Sequence, residues 1–454
     1  MKLVALSGLN RKFFIRMILF LVCNILPAQP VIETIINTAL ENNPQILSAK
    51  ADYEASLLLS KNGGGSFAPG LSLSGSETTE DNYSASLTYS QPLPGGTALQ
   101  FTGSYDYSSV QMQGTRIESK NPRLLLSLNQ SLFPFWLSGK FTDPKILSYR
   151  LQEQYYFNQL QYSKQNVVMD VIQNCVYAGI EYKKIESLQN SIKIVQLQYE
   201  ALNELKQSGG ANNSQLVELD NSKWSYELEL LSAQANYWGY IQKIKSLCYA
   251  EYDLFEKVQI CNLIPKEYTA DDFIGFYKAI AEYDSDPYAA ALKLKVMLEE
   301  NNIINEKQNN APVLGFSAIV PYDTDNKKIG DWTLGLSIDF SPLFSSLVGR
   351  NLKRAEIGLQ SARAVYEAYL EQKQFLKSQY DSILTDYEKQ INKTNELIEK
   401  YQLQVNDKAQ QLEQGIITKL DYESEKIRLE NCRLTFESLL LNVWLYKVLR
   451  EFTL

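Results

Sequence analysis

The sequence contains two unequal copies of one unit, and this internal repeat constrains the fold more than any other feature. Asn43-Pro44 precedes Ala68-Pro69, and Asp286-Pro287 precedes Ala311-Pro312 at the same separation. Each interval has a helix-like composition, and after each second proline the hydrophobic period changes to two, which is typical of a strand. The repeat therefore predicts two tandem copies of one supersecondary unit.

Each copy also predicts a long helical hairpin. Gly209-Gly210 is followed by Ser214, and Gly415 is followed by Thr418. Glycine commonly ends a helix, and Ser or Thr commonly caps the next one. Each copy is therefore predicted to contain a helix, strands, a long helix, a tight turn and a return helix. The first turn reads as longer and looser than the second.

The copies differ mainly in their strand regions. The segment from Pro69 to Phe133 is twice as long as the segment from Pro312 to Phe344. The excess is enough for one additional β-hairpin, which predicts about four strands in the first copy and two in the second. The alternative is that residues 83–108 form an excursion outside the sheet.

The strand segments alternate between apolar and polar residues, as barrel strands that cross a membrane do. A soluble antiparallel sheet fits the alternation alone equally well, but aromatic residues at the strand ends favour a bilayer. The residues sharing the apolar face are Leu99, Phe101, Gly103, Tyr105 and Tyr107 in copy one, and Trp332, Leu334, Leu336, Ile338 and Phe340 in copy two.

Residues 1–28 are predicted to be a secretory signal peptide, cleaved after Ala28. Four basic residues and no acid accompany an apolar run at 17–26, which is too short to span about 30 Å of hydrocarbon comfortably as an anchor. Lipidation at Cys23 is a minor alternative. The mature chain then comprises a first repeat at 29–265 and a second at 266–454.

The helical segments are too long for a single globular domain. Residues 145–206 and 347–412 contain no proline, and some 60 helical residues span roughly 90 Å. The return helices carry two heptad series each, which predicts packing against neighbours on both sides, as in a helical cylinder. A broad apolar face on a bundle helix is the alternative. One such series is Leu420, Ile427, Leu434, Leu441 and Val448.

Composition argues against an enzyme. The chain has no His, so a Ser-His-Asp triad and His-ligated zinc are excluded, and its five Cys form no C-x-x-C pair. No phosphate-binding glycine motif and no cofactor signature occur. Acids outnumber bases by 52 to 44, which disfavours nucleic-acid binding. Cys248 and Cys261 could form a disulfide in an oxidising periplasm or remain two thiols.

The order and spacing of these features resemble the TolC-like outer-membrane efflux protein (OEP) family over nearly the whole mature chain. The resemblance implies a mainly α protein with a duplicated helix–strands–helix–helix unit. It implies a homotrimer that forms one transmembrane β-barrel, continued by a long periplasmic α-helical barrel. The matching segments are Ala39–Pro44, Ala68-Pro69, Phe133, Asp286-Pro287, Ala311-Pro312 and Gly415–Asp421.

The family resemblance also implies partners: a periplasmic adaptor, an inner-membrane pump of the RND or ABC type, and outer-membrane lipid. The expected function is a passive outer-membrane exit duct, serving multidrug efflux or type I secretion. A coiled-coil structural or adhesive surface protein with a β-barrel anchor is the competing class.

The turns between the long helices are the candidate site, predicted to form the periplasmic aperture and to contact the adaptor. In a trimer, Glu218 and Asp421 would each appear three times and form acidic rings, although solvated surface charge is an equally simple interpretation. The candidate residues are Gly209, Gly210, Ser214, Gln215, Glu218, Gln414, Gly415, Thr418 and Asp421.

Overall fold

The structure is a computed structural model of the chain. It describes residues 31–61, 63–79, 82–94, 97–112, 115–131, 143–207, 210, 212–249, 286–323, 327–340 and 346–453. The predicted signal peptide with Cys23, the glycine at Gly209 and the thiol of Cys261 lie outside these residues. The predicted division between repeats after residue 265 also lies outside them and stays a prediction.

The chain forms seven helices of ordinary α geometry within the described ranges. They are α1 (Val31–Asn42), α2 (Pro44–Lys61), α3 (Pro144–Gln207), α4 (Asn213–Cys248), α5 (Pro287–Asn309), α6 (Ser346–Glu413) and α7 (Lys419–Thr453). The two longest, α3 and α6, contain 64 and 68 residues. The expectation of one very long helix in each copy is therefore confirmed. None of the described helices is both long and apolar enough to cross a membrane.

The chain divides into two compact units, and each unit contains segments of both sequence copies. The helical unit comprises the described residues within 1–47, 163–284 and 375–454. The sheet unit comprises the described residues within 48–162 and 285–374.

The sheet unit contains one antiparallel sheet. Its strands are β1 (Gly70–Thr79), β2 (Asn82–Leu93), β3 (Thr97–Met112), β4 (Thr115–Ser131), β5 (Val313–Asp323), β6 (Lys328–Ile329) and β7 (Thr333–Asp339). The first four follow each other as hairpin neighbours, β4 pairs with β5, and β5 pairs with both β6 and β7. Residues 83–93 and 97–108 thus lie in β2 and β3, rather than in an excursion outside the sheet.

The two faces of this sheet differ in chemistry, as the alternation predicts. One row of cross-strand partners crosses all six long strands and is apolar: Leu71, Tyr89, Phe101, Leu126, Ala318 and Leu334. The adjacent row on the opposite face is small or polar: Gly70, Ser90, Gln100, Ser127, Ser317 and Gly335. Hydrogen-bonded hydroxyl pairs cross the polar face. The Oγ atoms of Ser74 and Ser86 are 2.7 Å apart, and the Oγ1 atoms of Thr88 and Thr102 are 3.0 Å apart.

The helical unit has a continuous apolar core along its helices. Ile427 and Leu434, from the heptad series on α7, are 7% and 6% exposed, and Val448 is fully buried. Ala233 of α4 packs in a cluster with Ile185 and Leu188 of α3. The heptad series therefore do form packing seams. The fully buried members of this core include Val171, Ile172, Val176, Ile244 and Leu445.

Candidate functional site

The turn between α6 and α7 is closed by two backbone hydrogen bonds. The N–H of Gly415 donates to the carbonyl of Leu412 at 3.0 Å, and the N–H of Ile416 donates to that of Gln411 at 2.8 Å. Gly415 has φ +71°, the left-handed conformation that this kind of helix ending requires and that glycine adopts without steric cost. The glycine at position 415 therefore ends the helix, as the sequence predicts.

Thr418 and Asp421 then start α7 by bonding to each other. The N–H of Asp421 donates to Thr418 Oγ1 at 3.2 Å, while Asp421 Oδ2 accepts from the N–H of Thr418 at 3.1 Å. The Thr418 hydroxyl also donates to Asp421 Oδ2 at 2.7 Å. This reciprocal arrangement is a capping box, so the predicted cap at Thr418 is confirmed.

The same contacts hold Asp421 in its charged form. Hydrogen bonds from the hydroxyl and the N–H of Thr418 lower the pKa of this carboxyl, and the positive charge of Lys408 contributes in the same direction. The side chain is exposed, so the charge faces solvent. Asp421 is thus a fixed, ionised acid at the turn.

The first turn is built in the same way, which corrects two expectations. It joins α3 to α4 through residues 208–212, and the second turn uses 414–418, so the first is no longer than the second. The cap is Asn212 rather than Ser214: its side chain accepts from the N–H of Ser214 at 3.3 Å. Gln215 completes the capping box by accepting from the N–H of Asn212 at 3.4 Å.

The sequence signal for this cap is Asn212-x-x-Gln215, which has the spacing of a capping box and begins just before the predicted Ser214. Ahead of it, the N–H of Gly210 donates to the carbonyl of Leu205 at 2.9 Å. The donor and acceptor of this hydrogen bond have the same separation in sequence as Ile416 and Gln411 in the second turn. The two turns therefore correspond position by position. Gln215 therefore corresponds to Asp421, and only the second turn has a carboxylate in its box.

A groove of about 450 Å³ lies beside the first turn. The structure brings Gln215 and Glu218 together there, next to Leu420 of α7. Gln414, Gly415, Thr418 and Asp421 do not line it, although Asp421 follows Leu420 in the chain. The remaining lining residues are Gln198, Ala201, Leu202, Leu205, Leu219 and Ser222.

An ion cluster behind the second turn was not predicted. Glu425 on α7 is only 4% exposed and accepts from Lys408 Nζ on α6 at 3.0 Å. Arg428 lies 3.4 Å from the same carboxylate oxygen. A buried carboxylate without such cations would be costly, so the cluster holds α6 to α7 near the turn.

A second unpredicted feature is an exposed apolar stripe on α4. Its members lie at the spacings of a heptad seam, and each is between 49% and 62% exposed. We call it the α4 stripe: Val217, Trp224, Leu228, Leu231 and Trp238. The sequence predicts two other heptad seams on this helix. Val217, Trp224, Leu231 and Trp238 recur every seven residues and could have been identified in the same way.

The described part of the chain shows no group of three or more Cys, Asp or Glu side chains placed to hold a metal ion. Cys248 is fully buried, and burial raises the pKa of its thiol to about 11. Its predicted partner Cys261 lies outside the described residues, so that disulfide stays a prediction.

The fold is that of known outer-membrane channels. The outer-membrane channel OprN superposes with a TM-score of 0.63 over 94% of this chain and 90% of that chain, at 13% identity. The outer-membrane protein VceC from Vibrio cholerae superposes with a TM-score of 0.61 over 92% of this chain and 96% of that chain, at 14% identity. The CmeC outer-membrane channel of Campylobacter jejuni superposes with a TM-score of 0.58 over 92% of this chain and 86% of that chain, at 13% identity.

No protein-family model and no curated protein matches this amino-acid sequence. The structural comparison therefore defines the class: the chain has the TolC-like fold of outer-membrane efflux channels. The proteins that it resembles are channels and not enzymes.

Proposed function

We propose that the chain is the outer-membrane exit duct of a tripartite efflux or secretion system and that it works as a homotrimer. Substrates are delivered by an inner-membrane pump of the RND or ABC type through a periplasmic adaptor. The duct itself is passive and needs no cofactor. The fold of outer-membrane efflux channels supports the role, and the sheet provides the observation that carries the assembly.

That observation is a sheet with two open edges. Within the described strands, β1 pairs only with β2, and β7 pairs only with β5. Unpaired strand edges are not tolerated in hydrocarbon, and natural barrels of this class have at least eight strands. Six long strands from each of three chains would give an eighteen-stranded barrel in which β1 and β7 of adjacent chains close the edges.

The height of the apolar face supports a membrane location. On β5, the residues from Leu314 to Tyr322 place alternate side chains on that face. Eight residue steps cover about 27 Å along a strand, and a tilt near 40° reduces this to about 21 Å of vertical height. An outer-membrane barrel has an apolar band about 25 Å tall, so the two are comparable.

The α4 stripe supports the same assembly. A helix that exposes two tryptophans and two leucines to water carries a large cost unless another surface covers them. A helical barrel made of three chains provides that surface, because each terminal helix acquires a neighbour from the next chain. The competing adhesin class predicts one long stalk, whereas the described helices form a hairpin in each copy.

The turns are the proposed aperture and adaptor contact. Asp421 is held charged by its capping box, and Glu218 lines the groove beside the first turn. Three copies of each acid around an axis would attract cations. An adaptor that binds the splayed turns more tightly than the closed ones would then shift the duct towards its open state.

Conductance in planar bilayers tests this assignment. In Asp421→Ala and Glu218→Ala, alone and together, we expect block by divalent cations to weaken roughly threefold per ring, as for a loss of about 0.7 kcal/mol. Glu229→Ala is the matched control, because Glu229 is an exposed acid on α4 away from the turn. Unchanged block in the double variant would mean that these acids do not form the aperture.

Efflux and type I secretion are distinguished outside this chain. A neighbouring gene for a proton-driven pump would favour efflux. A gene for an ATP-binding exporter together with a large exported protein would favour secretion.

A further inference from the structure

The apolar face of the sheet contains a groove that conduction through the proposed duct does not require. The groove is open and has a volume of about 530 Å³. Its floor is Gly103, whose cross-strand partners on the same face are Leu87 and Leu124. A Cβ at Gly103 would meet open space, so the missing side chain leaves a trough between two leucines. Tyr105, Val320, Tyr322 and Ile329 are among the other residues that line the groove.

Aromatic rings and then a cation follow the groove towards the strand ends that are furthest from the helix connections. Tyr105 pairs with Pro122, and the next pair on the same face is Tyr107 with Lys120. The ring of Tyr83 stacks on that of Tyr107 with centroids 4.6 Å apart. Lys120 is two residues beyond Pro122, or roughly 7 Å along the strand.

Lys120 belongs to a small cluster with excess positive charge. Its Nζ lies 3.6 Å from Glu118 Oε2, and Arg116 Nε lies 3.7 Å from Glu118 Oε1. The two cations therefore flank one carboxylate, and the cluster has a net charge of +1. All three side chains are at least 43% exposed, so an external anion can approach them.

The order of these groups matches the order of groups along a phosphorylated lipid. An acyl chain is apolar, the interface favours tyrosine, and the headgroup phosphate favours Lys and Arg. We propose that the groove binds one acyl chain of a lipid with a phosphorylated headgroup, with its phosphate at Lys120 and Arg116. This inference rests on the proposed function in one respect, namely that this face of the sheet contacts lipid.

Native mass spectrometry of the purified full chain tests the groove. Lipid A and its dephosphorylated form are added separately, and the retained lipid is quantified. Gly103→Leu fills the trough, and we expect retention of both lipids to fall about fourfold for each CH₂ that is excluded. Ala318→Leu is the matched control, because it adds the same side chain to the same face outside the groove.

Variants of the charge cluster provide a second arm of the experiment, in which the expected changes in lipid retention have opposite signs. Lys120→Gln should lower retention of the phosphorylated lipid about threefold and leave the dephosphorylated lipid unchanged. Glu118→Gln should raise retention of the phosphorylated lipid, because it removes the competing carboxylate. Equal behaviour of Gly103→Leu and Ala318→Leu, or equal retention of the two lipids by the parent chain, would overturn the proposal.

Conductance of the parent chain and of Gly103→Leu separates this failure from failure of the duct. If both conduct but lipid retention does not depend on Gly103, the proposed lipid site is wrong and the proposed duct is still supported. If neither conducts but retention depends on Gly103 and Lys120, the duct is wrong and the lipid site stands.

Discussion

At the scale of single residues, Asn43 and Asp286 occupy the same place in the two copies and cap a helix in the same way. Asn43 Oδ1 accepts from the N–H of Gln45 at 2.9 Å, and Asp286 Oδ1 accepts from that of Tyr288 at 2.9 Å. Each precedes a proline in the first helical turn, where no N–H is needed. The repeated Asn-Pro and Asp-Pro of the sequence are therefore helix starts.

The second contact of each side chain differs between the copies. The Asn43 amide donates to the carbonyl of Leu247 at 3.0 Å. Asp286 Oδ2 instead accepts from the Tyr369 hydroxyl at 2.7 Å and from Lys373 Nζ at 2.8 Å. Burial opposes ionisation of Asp286, but hydrogen bonds from Lys373 and Tyr369 outweigh it and lower the pKa of the carboxyl. The second copy thus holds this helix start with an ion pair, whereas the first copy uses a neutral hydrogen bond.

Asp286→Asn should keep the cap and remove the ion pair. The Asp286 side chain is 10% exposed and that of Lys373 is 17% exposed, so solvent screens the pair little. Because a hydrogen bond to a charged group is worth about 1.5–3 kcal/mol, we expect the free energy of unfolding to fall by about that amount at pH 7. Denaturant unfolding in detergent measures it, and Asp286→Ala should cost about 1 kcal/mol more through the lost cap.

The pH dependence follows from the sign of the pKa shift. A carboxyl whose pKa is lower in the folded state contributes stability above its unfolded pKa of about 3.9, and this is lost as the pH falls through the folded value. The difference between the parent and Asp286→Asn should therefore shrink below about pH 4. A difference that is absent at pH 7, or constant with pH, would contradict the ion-pair account.

At the scale of elements, α4 carries two apolar surfaces, one buried within the chain and one exposed, which is the α4 stripe. Ala233 and Ile244 of α4 are fully buried, whereas Trp224 and Trp238 are 62% and 58% exposed. The helix therefore has one apolar surface that packs within its own chain and, in the proposed trimer, another that a neighbouring chain would cover.

Replacing both tryptophans with glutamate should prevent assembly without unfolding the helices. Buried tryptophans are often dominant interface residues, and removing each one costs about 2 kcal/mol or more. We therefore expect Trp224→Glu with Trp238→Glu to yield monomers on crosslinking, while far-ultraviolet circular dichroism stays unchanged. Ser225→Glu with Ser232→Glu adds the same charges beside the stripe and is the control. If the double tryptophan variant still crosslinks like the parent, the stripe is not the interface.

At the scale of the whole molecule, the proposed trimer would pair the open edges of β1 and β7 between neighbouring chains. We expect chemical crosslinking of the detergent-solubilised protein to produce dimers and trimers and to stop at three chains, because three copies of six long strands close one barrel. Light scattering of the same sample provides an independent mass. A stable monomer in mild detergent, or a ladder that continues past three, would count against the trimer.

Residue patterns alone predict the two faces of each element and the order of the elements. Alternation assigned Leu99 and Phe101 to one face of β3, and proline spacing located the starts of α2 and α5. Such local patterns are readable because helix and strand periods place side chains on one face whatever lies nearby. These patterns do not by themselves predict a channel. That prediction comes from the resemblance of the order of the elements to the TolC-like family.

Which partner each face contacts depends on the tertiary structure. It joined β4 to β5, whose paired residues Leu126 and Ala318 are far apart in sequence, and it left the α4 stripe exposed while burying Ala233. It also placed Lys373 on Asp286, 87 residues away in sequence. These outcomes depend on which nonlocal surfaces compete for the same contact, and a residue pattern along one element does not contain that information.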